Sequence, residues 1–235
     1  MKYLIADLVT EITPRYEALT ALSKPFEYLG NRQTDILLSA TEEEILAMHK
    51  KMLSGTTIAG AENFLISGRF CRKIINYNAL LIHSSSFIFK GKAYLFAADS
   101  GVGKSTHTSL WRKAFGDDVK MINDDKPVVR IYDDKAIAYG TPFDGGSGIA
   151  NNLSAPLGAV VFLERGESNT VKKPQTAEII KRLYFLTAHF VDRTTADKML
   201  DNFEKLLACC DFYVLTCNTD ISAALIAENA ITKVE

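Results

Sequence analysis

The chain has 235 residues, a size that predicts one large domain or one domain with an appendage and that suffices to bury a hydrophobic core. Lys and Arg number 27 against 28 Asp and Glu, so the net charge is −1 and the basic excess typical of proteins that bind nucleic acid or anionic membranes is missing. The longest apolar runs have the length of a strand, far short of the roughly 18 residues of a membrane-spanning helix. We therefore expect no nucleic-acid partner and no membrane partner.

The N-terminus and the cysteines favour a cytoplasmic location. The first apolar stretch is short and is followed by Asp7 and Glu11, which argues against a signal peptide. The four cysteines form no CxxC pair, and the adjacent Cys209 and Cys210 are poor candidates for a disulfide, so a reducing compartment fits best. The four histidines are scattered along the chain, and the sequence predicts no zinc site.

Residues 1–75 are predicted to form an N-terminal α+β extension packed on the rest of the chain. Short strands are expected within the first 40 residues, beginning with one at residues 3–9. Residues 41–53 are predicted as a helix, because Thr41 and Glu44 have the spacing of a capping box. Residues 63–97 are predicted to be rich in β-strands.

Residues 76–235 are predicted to form the larger unit of an α/β protein. Two apolar segments around the turn at residues 90–92 predict a hairpin. Strands are expected at residues 79–82, 87–89, 93–97, 119–122, 127–132, 136–139, 158–163 and 212–217. Helices are expected at residues 104–115, 176–190, 195–209 and from about residue 220. This alternation predicts a substantial β-sheet followed by C-terminal helices.

The strongest motif is a glycine-rich loop that follows a predicted strand and opens a predicted helix, the context of a phosphate-binding P-loop. Its glycines let successive backbone N–H groups point into one concavity, and the start of the helix adds its dipole. Lys104 is predicted to reach the β- and γ-phosphates of a nucleotide, and the Ser105 hydroxyl to bind Mg²⁺. Ala98 stands where the strict pattern has Gly. The predicted cofactor-binding residues are Ser100, Gly101, Val102, Gly103, Lys104, Ser105 and Thr106.

Two adjacent carboxylates, Asp124 and Asp125, end a predicted strand shortly after this loop. A strand beside the loop would bring them to the metal, and Mg²⁺ prefers carboxylate and phosphate oxygens. Neighbouring residues at a strand end point in different directions, so one carboxylate can serve the metal while the other acts as general base toward a hydroxyl. The alternative is a solvated turn before Pro127.

His83 and the glycine-rich segment 140–148 each have two interpretations. His83 can share a proton with a carboxylate at neutral pH, or it can be an ordinary hydrogen-bonded histidine at a strand end. His107 is interpreted as structural. The glycine-rich segment 140–148 can be a loop that covers a substrate or a long surface turn. Further candidates for contacts with substrate or phosphate are Asn151, Asn152 and Arg165.

Taken together, these residues resemble the HPr kinase/phosphorylase and phosphoenolpyruvate carboxykinase superfamily, and more narrowly its short, stand-alone HPr-serine-kinase-like members. The resemblance covers about residues 79–220. Most other P-loop families place their acidic metal residue much further downstream, so the short gap between loop and acids is the discriminating feature. The features that carry the resemblance are His83 before a hairpin, the loop at 100–105, Asn123-Asp124-Asp125, and Gly140-Thr141-Pro142 on a further strand.

The resemblance implies a mixed-sheet P-loop kinase core of the HPr kinase/PEPCK type that uses ATP and Mg²⁺ for phosphoryl transfer. It implies that Lys104 binds phosphates, that Ser105 and Asp125 attend the metal, and that Asp124 is the general base with His83 near it. It also leads us to expect homo-oligomers. Thr106 stands where HPr kinases usually have Glu, and their downstream catalytic signature is not found, which leaves the acceptor open.

The predicted function is that of an ATP- and Mg²⁺-dependent kinase that transfers the γ-phosphate to a hydroxyl. The phosphate acceptor can be a protein, a peptide or a small molecule. Two alternatives stay open: a nucleotide-binding regulatory protein without turnover, and a phosphorylase or phosphatase that runs the reverse reaction.

Overall fold

The computed structural model describes residues 1–52, 54–187 and 192–232. In these ranges the strands form a three-stranded and a nine-stranded sheet. The strands are β1 Lys2–Ile5, β2 Leu8–Thr13, β3 Ile36–Ser39, β4 Ala79–Leu81, β5 Ser84–Phe89, β6 Lys92–Ala97, β7 Lys120–Asn123, β8 Val128–Ile131, β9 Ala136–Tyr139, β10 Ser154–Arg165, β11 Thr170–Lys172 and β12 Asp211–Cys217. The α-helices are α1 Glu17–Ser23, α2 Glu42–His49, α3 Ile58–Ile74, α4 Lys104–Phe115, α5 Thr176–Leu186, α6 Arg193–Cys209 and α7 Ser222–Ile231.

The small sheet lies in the N-terminal extension, where β1 pairs antiparallel with β2 and β2 pairs parallel with β3. The single strand predicted at residues 3–9 is wrong, because the chain reverses at Ala6 and Asp7, whose φ angles are 51° and 59°. Two short strands therefore replace one, and α1 follows them without having been predicted.

Helix α3 corrects the β-rich interpretation of residues 63–97, since residues 58–74 are helical. Ile66, Phe70 and Ile74 lie one turn apart and are all fully buried. Two glycines, three isoleucines and two phenylalanines lower the local helix propensity here, so burial of the apolar stripe decides the conformation.

Helix α2 begins as predicted, at a complete capping box. The Thr41 hydroxyl accepts a hydrogen bond from the Glu44 N–H at 3.2 Å, and the Glu44 carboxylate accepts one from the Thr41 N–H at 2.8 Å. The helix ends at His49, earlier than predicted, and Leu53 lies outside the described residues. Helix α5, predicted at residues 176–190, ends at Leu186. Residues 188–190 of that prediction lie outside the described residues.

The large sheet is mixed, as the family resemblance implied. Its strand order is β4-β8-β9-β10-β6-β5-β7, and β12 pairs with β10 and β11. The predicted hairpin is confirmed as β5 and β6. Strand β10 runs antiparallel to β9 and parallel to both β6 and β12, so it joins the two halves of the sheet.

Helices cover both faces of the large sheet. Leu110 and Trp111 of α4 and three alanines of α7 pack on the face that contains Val161. Helices α5 and α6 pack on the opposite face, which contains Val160. The N-terminal extension shares a third apolar cluster with the sheet, in which the rings of Phe70 and Phe143 lie 5.4 Å apart.

The helices and the cysteines were compared with the expectations of no membrane span and no disulfide. Among the described residues, no helix is both long enough and apolar enough to cross a bilayer. All four cysteines are free, and burial raises the pKa of the Cys71 thiol to about 12.

A buried carboxylate joins two helices of the N-terminal extension. Glu62 of α3 is fully buried and accepts hydrogen bonds from the N–H groups of Arg15 and Tyr16, at 2.6 and 3.1 Å. No side chain of Tyr16 or its neighbours caps α1, so Glu62 supplies the acceptors at this helix start.

Replacing Glu62 with Ala is expected to destabilise the protein by about 2 kcal/mol, because two partly buried N–H donors lose their acceptor. Urea unfolding followed by circular dichroism measures this change. Glu204→Ala, on the exposed side of α6, is the control and should change stability by less than about 0.5 kcal/mol. Equal midpoints for the two variants would contradict this role of Glu62.

Candidate active site

The glycine-rich loop connects the end of β6 to the start of α4, as predicted. Gly101 and Gly103 have φ angles of 79° and 123°, a region that residues with side chains seldom adopt, and this lets the chain turn sharply before the helix. No side chain caps α4, so its first N–H groups and the positive end of its dipole face the loop. Such a helix start favours an anion.

Lys104 folds back over this loop. Its ammonium donates hydrogen bonds to the carbonyl oxygens of Ala98 at 2.9 Å and Asp99 at 3.3 Å, and the residue is 7% exposed. Burial lowers the pKa of Lys104, while the carboxylates of Asp125, Asp124 and Asp99 act in the opposite direction. The charge is therefore held in place beside the helix start, where a phosphate oxygen could accept from it.

A cavity of about 320 Å³ opens in front of the loop and gathers most of the predicted site residues. Val102 is the exception among the predicted loop residues; it lines a neighbouring cavity instead. The residues that line the loop cavity are His83, Ser100, Gly101, Gly103, Lys104, Ser105, Thr106, Asp124, Asp125, Gly145 and Ser147.

Asp124 lies on the side of the cavity nearest α4. Its carboxylate accepts a hydrogen bond from the Ser85 hydroxyl at 2.5 Å, and Ser85 lies 3.0 Å from the Thr108 hydroxyl of α4. Strand β7, which precedes the two acids, is separated from β6 by β5, and its end nevertheless brings both acids to the loop cavity. Ser85 belongs to that intervening strand and was missed, since a serine within a β-strand has no distinguishing sequence signal.

Asp125 points away from Asp124 and forms two ion-pair contacts. The Nε2 atom of His83 lies 2.9 Å from one carboxylate oxygen, and the Lys126 ammonium lies 3.1 Å from the other. Burial acts to raise the pKa of Asp125, but the hydrogen bond from His83 and the charge of Lys126 outweigh it and lower the pKa to about 2. His83 was expected near Asp124, and the structure places it on Asp125 instead.

The segment 140–148 forms a wall of the cavity. Phe143 is fully buried, and the Asn123 amide donates to the carbonyl oxygens of Thr141 and Phe143 at 3.0 Å each. A Cβ atom on Gly145 would lie 3.0 Å from the Asp125 carboxyl carbon, so any side chain there would press on this carboxylate. Asn123 anchors the segment, a role that sequence reasoning did not assign to it.

Three other candidates, Asn151, Asn152 and Arg165, form hydrogen bonds outside the loop cavity. Asn151 donates to the carbonyl oxygen of Met121 at 2.9 Å, and Asn152 to that of Pro25 at 2.8 Å. Arg165 braces the loop by donating to the carbonyl oxygens of Val102 and Gly101 at 3.1 and 2.5 Å.

His107 is structural, as predicted. It is 2% exposed on α4, and its Nε2 atom accepts a hydrogen bond from the Trp111 indole at 3.0 Å. Burial lowers the pKa of His107 to about 4, so the ring is neutral at physiological pH.

The oxygen atoms of the cavity fit a magnesium ion better than a metal held by protein alone. Among the residues that the structure describes, no group of three or more His, Cys, Asp or Glu side chains is placed to hold a metal. Ser105, Asp124 and Asp125 nevertheless present a hydroxyl and two carboxylates to one space. Mg²⁺ typically combines one or two such ligands with water and substrate phosphates.

Comparisons with known proteins give no match to a family and a distant structural likeness. No family model matches the chain, and no curated protein sequence matches it. The structure is similar to that of the HPr(Ser) kinase/phosphatase from Coxiella burnetii, with a TM-score of 0.40 and 10% sequence identity over 64% of this chain and 95% of that chain. So distant a likeness does not define a function, which is inferred below from the residues of this chain.

Removing the imidazole that contacts Asp125 is expected to raise the pKa of this carboxyl from about 2 toward its ordinary value of 3.8. Carbon-detected NMR of the aspartate carboxyls, titrated in wild type and in His83→Gln, measures the shift. His49→Gln is the control, because the His49 ring contacts the Thr56 carbonyl in the N-terminal extension.

The sign of the stability effect follows from this pKa. Because the folded protein lowers the pKa of Asp125 below 3.8, the ionised carboxylate contributes about 2 kcal/mol of stability above pH ~4, which is lost as the pH falls toward 2. In His83→Gln most of this dependence should disappear. An unchanged carboxyl titration in that variant would contradict the assigned contact.

Proposed function

We propose that this protein is an ATP- and Mg²⁺-dependent kinase that transfers the γ-phosphate to a hydroxyl. The observation that carries the proposal is the convergence of Lys104, Ser105, Asp124 and Asp125 on one cavity at the uncapped start of α4. A cation, a helix N-terminus and hard oxygen ligands are the groups that position a nucleotide triphosphate and stabilise charge during transfer.

The nucleoside occupies the cavity on the other side of the loop. This space of about 400 Å³ is lined by Gly101 and Thr106 of the loop region and by Arg165 and Asn218 just at the ends of β10 and β12. These two strands run parallel to each other and β10 runs parallel to β6, so their carboxyl ends lie on one side of the sheet. Ligands of α/β proteins bind outside such strand ends.

Ser105 of the loop and Asp124 would hold the metal. Mg²⁺, when bound, neutralises developing negative charge on the phosphates. Asp124 has a neutral hydroxyl as its partner, whereas both oxygens of Asp125 are already engaged by His83 and Lys126, which makes Asp125 the weaker metal ligand. We therefore assign Ser105 and Asp124 to the metal, the reverse of the division predicted from the sequence.

Asp125 and His83 face the acceptor. The acceptor oxygen forms a bond to the γ-phosphorus, the bond from that phosphorus to the β,γ-bridging oxygen breaks, and ADP leaves. The proton of the hydroxyl passes to the Asp125 carboxylate and then to water. A weakly basic carboxylate suffices, because in a loose transition state positioning and charge stabilisation contribute more than proton abstraction.

Lys104→Ala is expected to lower phosphate transfer from γ-labelled ATP by about 10²-fold or more, since it removes the cation that contacts the phosphates. The assay uses Mg²⁺ and an extract of the source cell, with protein and small-molecule products resolved separately. Lys113→Ala is the matched control, because Lys113 lies in the last turn of the same helix. Binding of MgATP without transfer by the wild type would indicate the regulatory alternative, and transfer dependent on inorganic phosphate the reverse reaction.

Asp124→Asn and Asp125→Asn should both reduce transfer strongly, but for different reasons. Asp124→Asn is expected to raise the Mg²⁺ concentration needed for half-maximal rate by about tenfold or more, because a charged ligand is lost. Asp125→Asn should lower kcat while leaving that concentration and MgATP binding nearly unchanged. The opposite pattern would restore the division of roles predicted from the sequence.

A further inference from the structure

A third cavity, here called the apolar groove, adjoins the loop cavity. It has a volume of about 450 Å³ and lies between the N-terminal extension and the large sheet. Its apolar walls come from Met48, Phe64, Leu65, Leu81 and Leu186.

The two cavities share two residues. His83 and Asp125 line the apolar groove as well as the loop cavity. A group seated in the groove with its polar end at this pair is therefore placed next to the γ-phosphate. That is the position required of a phosphate acceptor, which must lie within about 3–3.5 Å of the atom it attacks.

The groove selects by apolar contact along its walls and by charge at its rim. Arg72 lines the rim and is exposed, and no carboxylate of the described residues forms an ion pair with it. Lys126, the other cation of the groove, is already paired with Asp125. Arg72 is thus the cation available to an acidic group of a ligand.

The groove is open rather than enclosed. Phe64 lies on its wall and is 49% exposed, so the apolar surface continues to the outside of the protein. An extended chain can pass through such an opening, and an exposed aromatic ring beside a pocket is typical of a protein-recognition surface. A polar metabolite, by contrast, would find few hydrogen-bonding groups along these walls.

We propose that the acceptor is a peptide or protein segment in which a Ser or Thr is flanked by a large apolar side chain and, further along, by an acidic residue. The apolar side chain lies in the groove, the hydroxyl lies at His83 and Asp125, and the acidic residue pairs with Arg72. The proposal rests on the proposed kinase function and gives the N-terminal extension its role, because α2 and α3 supply Met48 and Phe64.

Gly68 offers a way to fill the groove without disturbing the fold. It lies in α3 on the groove wall, and a Cβ atom added there meets no other atom within 4 Å. Gly68→Leu should therefore occupy the groove while raising the helix propensity of α3. Gly68→Ala is the matched control, since a methyl group leaves most of the space open.

The test presents a positional-scanning library of serine peptides with γ-labelled ATP and Mg²⁺ to each variant, and MgATP binding is measured separately. The wild type is expected to prefer Leu, Ile, Met or Phe over Ala at one flanking position by about tenfold. This ratio corresponds to roughly 1.4 kcal/mol of apolar contact. Gly68→Leu should lose that preference, Gly68→Ala should keep it, and all three should bind MgATP alike.

Two further variants examine the wall and the rim. Phe64→Ala should weaken the apolar preference, whereas Leu225→Ala, a residue of α7 that is also 49% exposed, should not. Arg72→Glu should replace the preference for an acidic residue in the peptide with a preference for a basic residue.

The outcomes separate this proposal from the kinase function. Loss of MgATP binding by the wild type would overturn both. Three results with a wild type that binds MgATP would overturn the peptide acceptor alone. They are no labelled peptide, labelling of only small molecules in the extract assay, and labelling of the library without preference. A Gly68→Leu variant with unchanged selectivity would do the same.

Discussion

The parallel pairing of β6 with β10 is the constraint on which the site depends. Both strands lie in the middle of the large sheet, and Leu95 and Val160, which face each other across the ladder, are fully buried. Since helices cover both faces, this pair cannot shift without exposing apolar side chains to water. The loop leaves β6 at a fixed point as a result, and Arg165 at the end of β10 holds the loop carbonyls there.

Asn123 organises the rest of the site around that loop. Its side-chain oxygen accepts from the N–H groups of Asp125 and Lys126, at 2.8 and 2.6 Å, while its amide nitrogen donates to the segment that contains Phe143. One buried amide thus fixes the turn of the two acids and the opposite wall of the cavity together. Such a fully satisfied buried polar group favours a unique arrangement, because any alternative leaves donors or acceptors unpaired.

The N-terminal extension adds an apolar surface to the site that the large sheet forms. Its helix α3 packs on Phe143, directly beside the loop cavity, and forms one wall of the apolar groove that reaches His83 and Asp125. The charge that the protein places near a nucleotide and the apolar surface that it places near an acceptor therefore come from different parts of the chain. A shared apolar cluster and hydrogen bonds such as that from Asn152 to the Pro25 carbonyl oxygen set the mutual position of these parts.

The sequence by itself determined the features that are local: the loop between β6 and α4, the capping box of α2, the β5–β6 hairpin and the proximity of two acids to the loop. The loop, the capping box and the hairpin join residues that lie close together along the chain, so spacing and residue type suffice. The proximity of the two acids to the loop follows from their place at the end of the next predicted strand. The tertiary structure decided the rest, including the helical state of residues 58–74, the pairing of His83 with Asp125, the contact of Ser85 with Asp124 and the groove at α3. These features join residues tens of positions apart, and burial and hydrogen-bond satisfaction, which operate only after the chain has folded, outweighed the local preferences.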